Sequence, residues 1–441
     1  MKNKFILVLI AIFAVTLLAS CGKEDPLLIW VGSESVEFYQ TQMDDYVAAY
    51  EEENGEAFPY EVSVVGVDTG SAASTFLEDM EAGADIFTVA HDNLGKLTAG
   101  SSGIAPVTDE ALLAQIKNNN SDTFLDVIKN TVGGQEYTFG IPYIAQSLVL
   151  YYNTEFLDAE DVLTWEGIWD VAKENNKQAL SLAGVDGFNN SFLLLATNAE
   201  TGETSLKLYE NGDIEANDAT GDDIVSILKW GQRFFTDANG AKAPTDSGWE
   251  VELKDEISIS FIGGAWHYNA ASAALGSNLG ITILPTFTIT EADAYGTVEA
   301  GTEFRSGTFA DAKVFVMKKN SEKADYLQDI VKYLTTPEMQ EASYLAADNL
   351  PAYKDAATEF ESMADDPLAK AQLQMFDYGR PQPFGYDNRY NFYFYSKGGP
   401  EYIMEILENK SGTTQGGFET DAAIVAQLEK ITNIWKTGNA E

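Results

Sequence analysis

Apolar and polar positions fall into two alternating rhythms along this chain. Leu27–Val31, Tyr60–Val67 and Ala84–Val89 are short apolar, β-branched or aromatic runs that predict buried strands. Between them, Val36–Glu53 repeats with a helical period and places Phe38, Met43, Tyr46, Val47 and Tyr50 on one face. Gly55 is positioned to end that helix, and Ser71–Ala82 reads as the next one. A β-α-β-α-β order predicts a mostly parallel sheet. In such a sheet the loops at the carboxyl ends of the strands face the ligand crevice. The first of these loops, Gly32–Ser35, carries Glu34.

Phe139–Asn153 (FGIPYIAQSLVLYYN) reads as one buried strand, with Gly140 and Pro142 at its entry. Gln146 interrupts its apolar run, and a buried amide needs hydrogen-bond partners or a ligand. After a loop, Thr164 is placed to cap a helix whose apolar face is Trp165, Ile168, Trp169 and Ala172. Asp186–Asn190 is a polar, turn-prone stretch holding Phe188, followed by a hairpin over Leu206–Asn217 and an amphipathic helix over Asp222–Phe235. Ile257–Tyr268 (ISISFIGGAWHY) runs as a strand into Gly263-Gly264, which permits close backbone approach, and then Trp266 and Tyr268. Further along come Gly280–Phe287, a strand at Lys313–Met317, helices at Ser321–Leu334 and Pro337–Leu345, and the aromatic cluster Arg380–Tyr395. Asp421–Trp435 forms a closing helix.

A length of 441 residues predicts two domains, and 45% hydrophobic with 12% aromatic residues can fill two cores. The net charge of −42 excludes nucleic acid or an anionic membrane surface as a partner held by charge. Residues 1–20 read as an export signal: Lys2 and Lys4 precede the apolar run Phe5–Leu18, which is short for a membrane span. Leu18-Ala19-Ser20-Cys21 then matches a bacterial lipobox, so Cys21 is the expected lipid attachment point and residues 21–26 a tether. Cys21 is the only cysteine, so no internal disulfide forms.

Catalytic signatures are absent. The chain has no HExxH, no phosphate-binding loop and no GxSxG, and with only His91 and His267 it cannot build a histidine-rich metal site. No cofactor is expected. With 69 acidic residues some carboxylate pair will always lie close, so a glycoside hydrolase stays open only as an alternative.

Four segments resemble extracellular solute-binding proteins of bacterial ABC transporters, in particular the maltodextrin-binding branch. They are AHDNLG (90–95), the Phe139–Asn153 stretch with its following TWEGIWDVAKEN, GGAWHY (263–268) and ITILPTF (281–287). The resemblance spans most of residues 27–435. It implies an α/β, two-lobe periplasmic-binding-protein fold, each lobe a mixed sheet flanked by helices, with three interlobe crossings at 144–150, 282–288 and 349–353. It assigns residues 27–145 plus 287–349 to lobe one and 146–286 plus 350–441 to lobe two. It also implies an oligosaccharide ligand, permease partners in the membrane, a monomer and no catalysis.

Position by position, the resemblance puts Asp92 where that family bonds sugar hydroxyls and Trp266 where it stacks a sugar ring. Gln146 falls on the hinge side of the cleft, and Glu34, Asp186, Phe188 and Tyr268 fall nearby. Tyr386 and Tyr390 are candidates for a further stacking aromatic, alongside Phe392 and Tyr393. Val89 stands where the family has a stacking tryptophan, and Gln146 where it often has glutamate, which leaves another sugar, a polyol or a peptide open as the solute.

Overall fold

The computed structural model describes residues 25–438, apart from 101–102, 208–217, 246–247, 377, 383–398 and 413. Cys21, Tyr386 and Tyr390 lie outside the described residues, as do Phe392 and Tyr393.

Two mixed sheets organise two hydrophobic cores. The first sheet holds β1 (Leu27–Val31), β2 (Val62–Gly66), β3 (Ile86–Ala90), β4 (Ile141–Gln146) and β9 (Asp311–Lys318). Its order is β2-β1-β3-β9 and then the short strand Ile104–Ala105, with β4 also on β9. β1 runs parallel to β2 and β3, as the β-α-β rhythm predicts, while β9 runs antiparallel to β3 and to β4. The second sheet holds β5 (Val149–Asn153), β6 (Leu180–Leu182), β7 (Ser260–Gly263) and β8 (Leu279–Thr282). Its order is Ala241–Lys242, β6, β7, β5, β8.

The Phe139–Asn153 stretch is two strands rather than one. Gln146 ends β4 in register with Asp311 of the first sheet, whereas Val149 opens β5 opposite Gly263 of the second. Between them Ser147 Oγ donates to the Gln372 carbonyl at 3.1 Å, and the Leu148 amide donates to Thr308 Oγ1 at 2.9 Å. These side-chain partners satisfy the backbone where the chain leaves one ladder for another. Pro142, which has no amide hydrogen to give, sits where the register against β9 shifts at Lys313/Val314.

The other two passes fall later than the resemblance implies. Phe287 packs at 4.4 Å between ring centroids from Trp230 and at 5.8 Å from Phe304, all within the second core, which also takes Ile289, Val298 and Phe309. The chain therefore returns to the first core not at 287 but at Ala310–Asp311, where β9 begins and Ala312 and Val314 join that core. Leu350, Ala352 and Tyr353 pack in the first core, and the Ala145 amide donates to the Leu350 carbonyl at 2.8 Å. The third pass is made on the helix Pro367–Phe376, with Ala369 against the first core and Leu368, Ala371 and Met375 in the second.

Local signals hold where they are strong. The helix after the first pass spans Trp165–Asn175, Thr164 Oγ1 accepts from the Gly167 amide at 3.0 Å, and its buried residues are Trp165, Ile168, Trp169 and Ala172. The first helix ends at Gly55, whose φ of 72° suits glycine and whose amide caps the Glu51 carbonyl.

Candidate functional site: a cleft between the two cores

Two adjoining chambers of about 490 and 620 Å³ open between the cores and share Asp68, Thr69, Gln146, Trp266 and Lys313. One wall comes from the first core and is polar. The other comes from the second core and carries the rings.

On the polar wall, Glu34 follows β1 in the turn Ser33–Ser35, and its carboxylate folds over Gly32. A Cβ on Gly32 would stand 2.4 Å from Glu34 Oε1, so that rotamer needs glycine there. Lys313 extends from β9 to within 4.0 Å of Glu34 Oε1. Burial lowers the Lys313 pKa, while Glu34 and Asp68 pull it back up. Asp92 sits in the turn His91–Asn93 just past β3, 8% exposed, and accepts from Asn93 Nδ2 at 3.0 Å. Burial raises its pKa to about 6; His91 and Lys96 oppose that rise and Asp311 adds to it. Asp92 thus brings a largely buried carboxyl to the chamber wall, where it can accept hydrogen bonds.

Behind Asp92, His91 is fully buried. The Ala312 amide donates to its Nδ1 at 3.2 Å, so the ring proton lies on Nε2 and is donated to the Gln382 carbonyl at 3.0 Å. Burial lowers its pKa and keeps the imidazole neutral. His91 is a packed, hydrogen-bonded residue joining β3, β9 and the Gln382 segment. Asp311 beside it accepts from Gln382 Nε2, and burial raises its pKa to about 7.

On the aromatic wall, Trp266 is 49% exposed, the large ring most available to a solute among the described residues. Phe188 lies 5.8 Å from it between centroids and stacks at 6.0 Å on Phe309. A Cβ on Gly264 would come within 2.1 Å of the Trp266 ring, which lies back over that backbone. Gly264→Ala is therefore expected to push the indole off the wall. Solute affinity should fall about fivefold or more while the melting temperature changes by only a few degrees, checked by calorimetry and thermal melting.

Of the residues singled out in the sequence, Glu34, Asp92, Gln146, Phe188 and Trp266 line these chambers together. Asp186 does not; its carboxylate accepts from the Asn189 amide at 2.8 Å and Asn189 Nδ2 at 2.9 Å, closing its own turn. Tyr268 lines a smaller neighbouring pocket. Val89 is fully buried opposite Val314 in the first sheet and presents nothing to the cleft. Sequence reasoning missed Asp68, Thr69, Lys96, Asn269, Asp311, Lys313 and Gln382. Asp311 and Lys313 left one trace: polar residues at alternate positions opening an otherwise apolar strand share a face.

Two mixed α/β cores, joined by three passes and facing each other across a cleft that is polar on one side and aromatic on the other, define a two-lobe solute receptor. The model of bacterial extracellular solute-binding proteins matches residues 45–371, and the chain belongs to that family. Its relatives include a maltooligosaccharide ABC transporter solute-binding lipoprotein of Streptococcus pneumoniae (strain ATCC BAA-255 / R6), 24% identical over 405 residues, with 87% of this chain and 88% of the relative covered. Another is the maltodextrin-binding protein MdxE of Bacillus subtilis (strain 168), 23% identical over 312 residues and covering 68% of this chain and 67% of the relative.

Among solved structures, maltodextrin-binding protein MalE1 from L. casei BL23 without ligand superposes with a TM-score of 0.72 at 19% identity, covering 93% of this chain and 99% of its own. A cyclo/maltodextrin-binding protein complexed with maltotetraose gives 0.70 at 18% identity, covering 93% and 97%. These likenesses show the two-lobe periplasmic-binding-protein fold. Among the described residues no helix is long and apolar enough to cross a membrane, and no group of three or more His, Cys, Asp or Glu could hold a metal ion.

Proposed function

We propose that this protein is the extracytoplasmic receptor of an ABC importer and captures a maltodextrin-type oligosaccharide between its two lobes without cleaving it. The observation that carries this is the opposition of Trp266 and Phe188 on one wall to Glu34, Asp92, Gln146 and Lys313 on the other. A pyranose has a C–H face that packs on an aromatic plane and a rim of hydroxyls that need donors and acceptors. One relative is named as a maltooligosaccharide ABC transporter solute-binding lipoprotein and another as a maltodextrin-binding protein, which points to the same class.

The lobes are taken as the two cores, hinged at 146–148, 310–311 and the helix Pro367–Phe376. Solute that touches both walls makes its full set of contacts only when they approach, so binding favours closure. The closed monomer then docks on the importer's membrane subunits. Cys21, lipidated after removal of residues 1–20, tethers the receptor to the outer face of the membrane through residues 21–26. Asp186 acts through the shape of the Phe188 turn, and Tyr386 and Tyr390 remain candidates for a further stacking ring.

One observation favours a second reading in which another oligosaccharide is the solute. Val89 is buried, so the polar wall offers no aromatic at that position.

The test is a titration of the mature chain carrying Cys21→Ser with maltotriose and a panel of other oligosaccharides, followed by tryptophan fluorescence and calorimetry, with product analysis on the same samples. Saturable binding of maltotriose with intact sugar is expected. Cleavage would move the protein to the glycoside hydrolases. Binding confined to other sugars would replace the maltodextrin assignment.

A further inference from the structure

The strands of the first sheet have one end at the cleft and the other far from it. β1 runs into Gly32–Glu34 and β3 into Asp92, β4 finishes at Gln146 and β9 starts at Asp311, and these residues line the chambers. The opposite ends gather around Asp85. The Leu28 amide donates to Asp85 Oδ2 at 3.0 Å, and the Lys318 amide, where β9 finishes, donates to the Asp85 carbonyl at 2.8 Å. Lys323 Nζ donates to Asp85 Oδ2 at 2.8 Å and to the Pro26 carbonyl at 3.0 Å, which fixes the point where the chain enters the fold. We propose that this end of the first core is a membrane-facing surface, held against lipid headgroups by the short lipidated tether, so that the cleft lies on the far side of the first core from the membrane. The proposal rests on the lipid-anchor reading above and extends it to the orientation of the receptor.

Three observations carry it. The first is reach. Cys21 to Pro26 is five residues, which span at most ~18 Å when fully extended. β9 has eight residues and crosses the first core from the cleft to this end, about 23 Å. A receptor turned with its cleft towards the lipid and β9 upright would hold Pro26 beyond the reach of its own anchor. The second is charge. Lys318, Lys319 and Lys323 place three of the chain's 27 basic residues within six positions. Lys318 Nζ donates to the Glu81 and Gly83 carbonyls, at 2.7 and 3.2 Å, so its charge is added to this end. The three lysines offset Glu81, Asp85 and Glu322 around them, which spares this end the repulsion that a chain of net charge −42 otherwise meets at anionic headgroups. The third is side-chain type. Tyr60 and Tyr326 pack at 5.7 Å between centroids, half-buried, and Lys323 Nζ lies 5.7 Å from the Tyr60 ring. Tyrosine and lysine join an apolar body to a polar tip, the combination that suits a membrane–water interface.

The test uses the mature chain with its native Cys21, made in a bacterium that processes lipoproteins and placed in vesicles of phosphatidylcholine and phosphatidylglycerol. With the Cys21 thiol acylated, one introduced cysteine carries a fluorophore. It is placed either by Glu322→Cys at the proposed surface or by Glu174→Cys on the helix Trp165–Asn175 of the second core; both positions are exposed and the two changes alter charge equally. Lipids with a nitroxide on the headgroup quench a fluorophore that meets them. Quenching should be several-fold stronger at Glu322→Cys than at Glu174→Cys. A linker of about 20 Gly and Ser residues inserted after Gly22 frees the receptor to turn and should remove most of that difference. Equal quenching at the two sites with the native tether, or stronger quenching at Glu174→Cys, would overturn the surface. A difference that survives the linker undiminished would overturn the tether as what holds it there. Mass spectrometry of the same samples separates this inference from the reading beneath it, because a free Cys21 thiol would overturn the lipid anchor itself, and the orientation with it.

Discussion

Trp266→Ala is expected to weaken oligosaccharide binding about 30-fold, equivalent to roughly 2 kcal/mol, while leaving the fold intact. The indole is 49% exposed, so only about half of its area stabilises the free protein, and the exposed half is what a sugar ring would cover. Its position is fixed from behind. Phe188 packs 5.8 Å away and Phe309 stacks on Phe188, so the wall is rigid before ligand arrives and little ordering entropy is lost on binding. Calorimetry against the parent's best sugar, with a thermal melt as control, separates the outcomes. A large loss of affinity with an unchanged melt supports the stacking role. An unchanged affinity would sink it, and a matching fall in stability would make Trp266 a packing residue.

Asp311→Asn is expected to stabilise the unliganded protein at pH 8 by about 2–4 kcal/mol and to change it little at pH 4. Burial raises the Asp311 pKa from 3.8 to about 7 in the folded chain, and the nearby Gln382 donor only partly opposes this. Because the folded value lies above the unfolded one, this group's contribution is fully present below about pH 4 and is lost as pH rises through about 7. Asp311 Oδ1 has no hydrogen-bond partner, and asparagine reproduces the neutral acid with an acceptor and a donor in place. Asp92, raised to about 6, has the same sign and remains in the variant. His91 has the opposite sign: its lowered pKa means stability is lost as pH falls, in parent and variant alike. The measurement is denaturant unfolding from pH 4 to pH 8. A parent and variant with parallel pH profiles would show that Asp311 stays ionised at no cost in the fold.

How much the chain spelled out locally follows from how far each signal reaches. The Trp165–Asn175 helix was legible because its cap, Thr164, and its apolar face lie within a dozen residues of each other. The parallel start of the first sheet was legible for a similar reason, since β1, β2 and β3 alternate with helices over residues 27–90. Glu34, Asp92, Gln146, Phe188 and Trp266 stood out as polar or aromatic residues at the ends of apolar strands or in turns, and all five line the cleft. Asp186 carried the same kind of signal yet serves its own turn through Asn189, because a carboxylate beside an amide side chain can satisfy itself without a ligand.

By itself, then, the sequence determined most of the apolar runs that became strands, the capped helices and the residue types available to a sugar. Only the tertiary structure decided which sheet each strand joined. Nothing local in FGIPYIAQSLVLYYN tells β4 to pair with β9 and β5 with β7, because both halves are equally apolar. The same holds for Phe287, which could have filled either core and fills the one that holds Trp230. It holds again for Lys313, whose ammonium reaches Glu34 across 279 residues of sequence. Strand partners and cleft-facing side chains depend on contacts between distant segments, and those contacts exist only once both cores have formed.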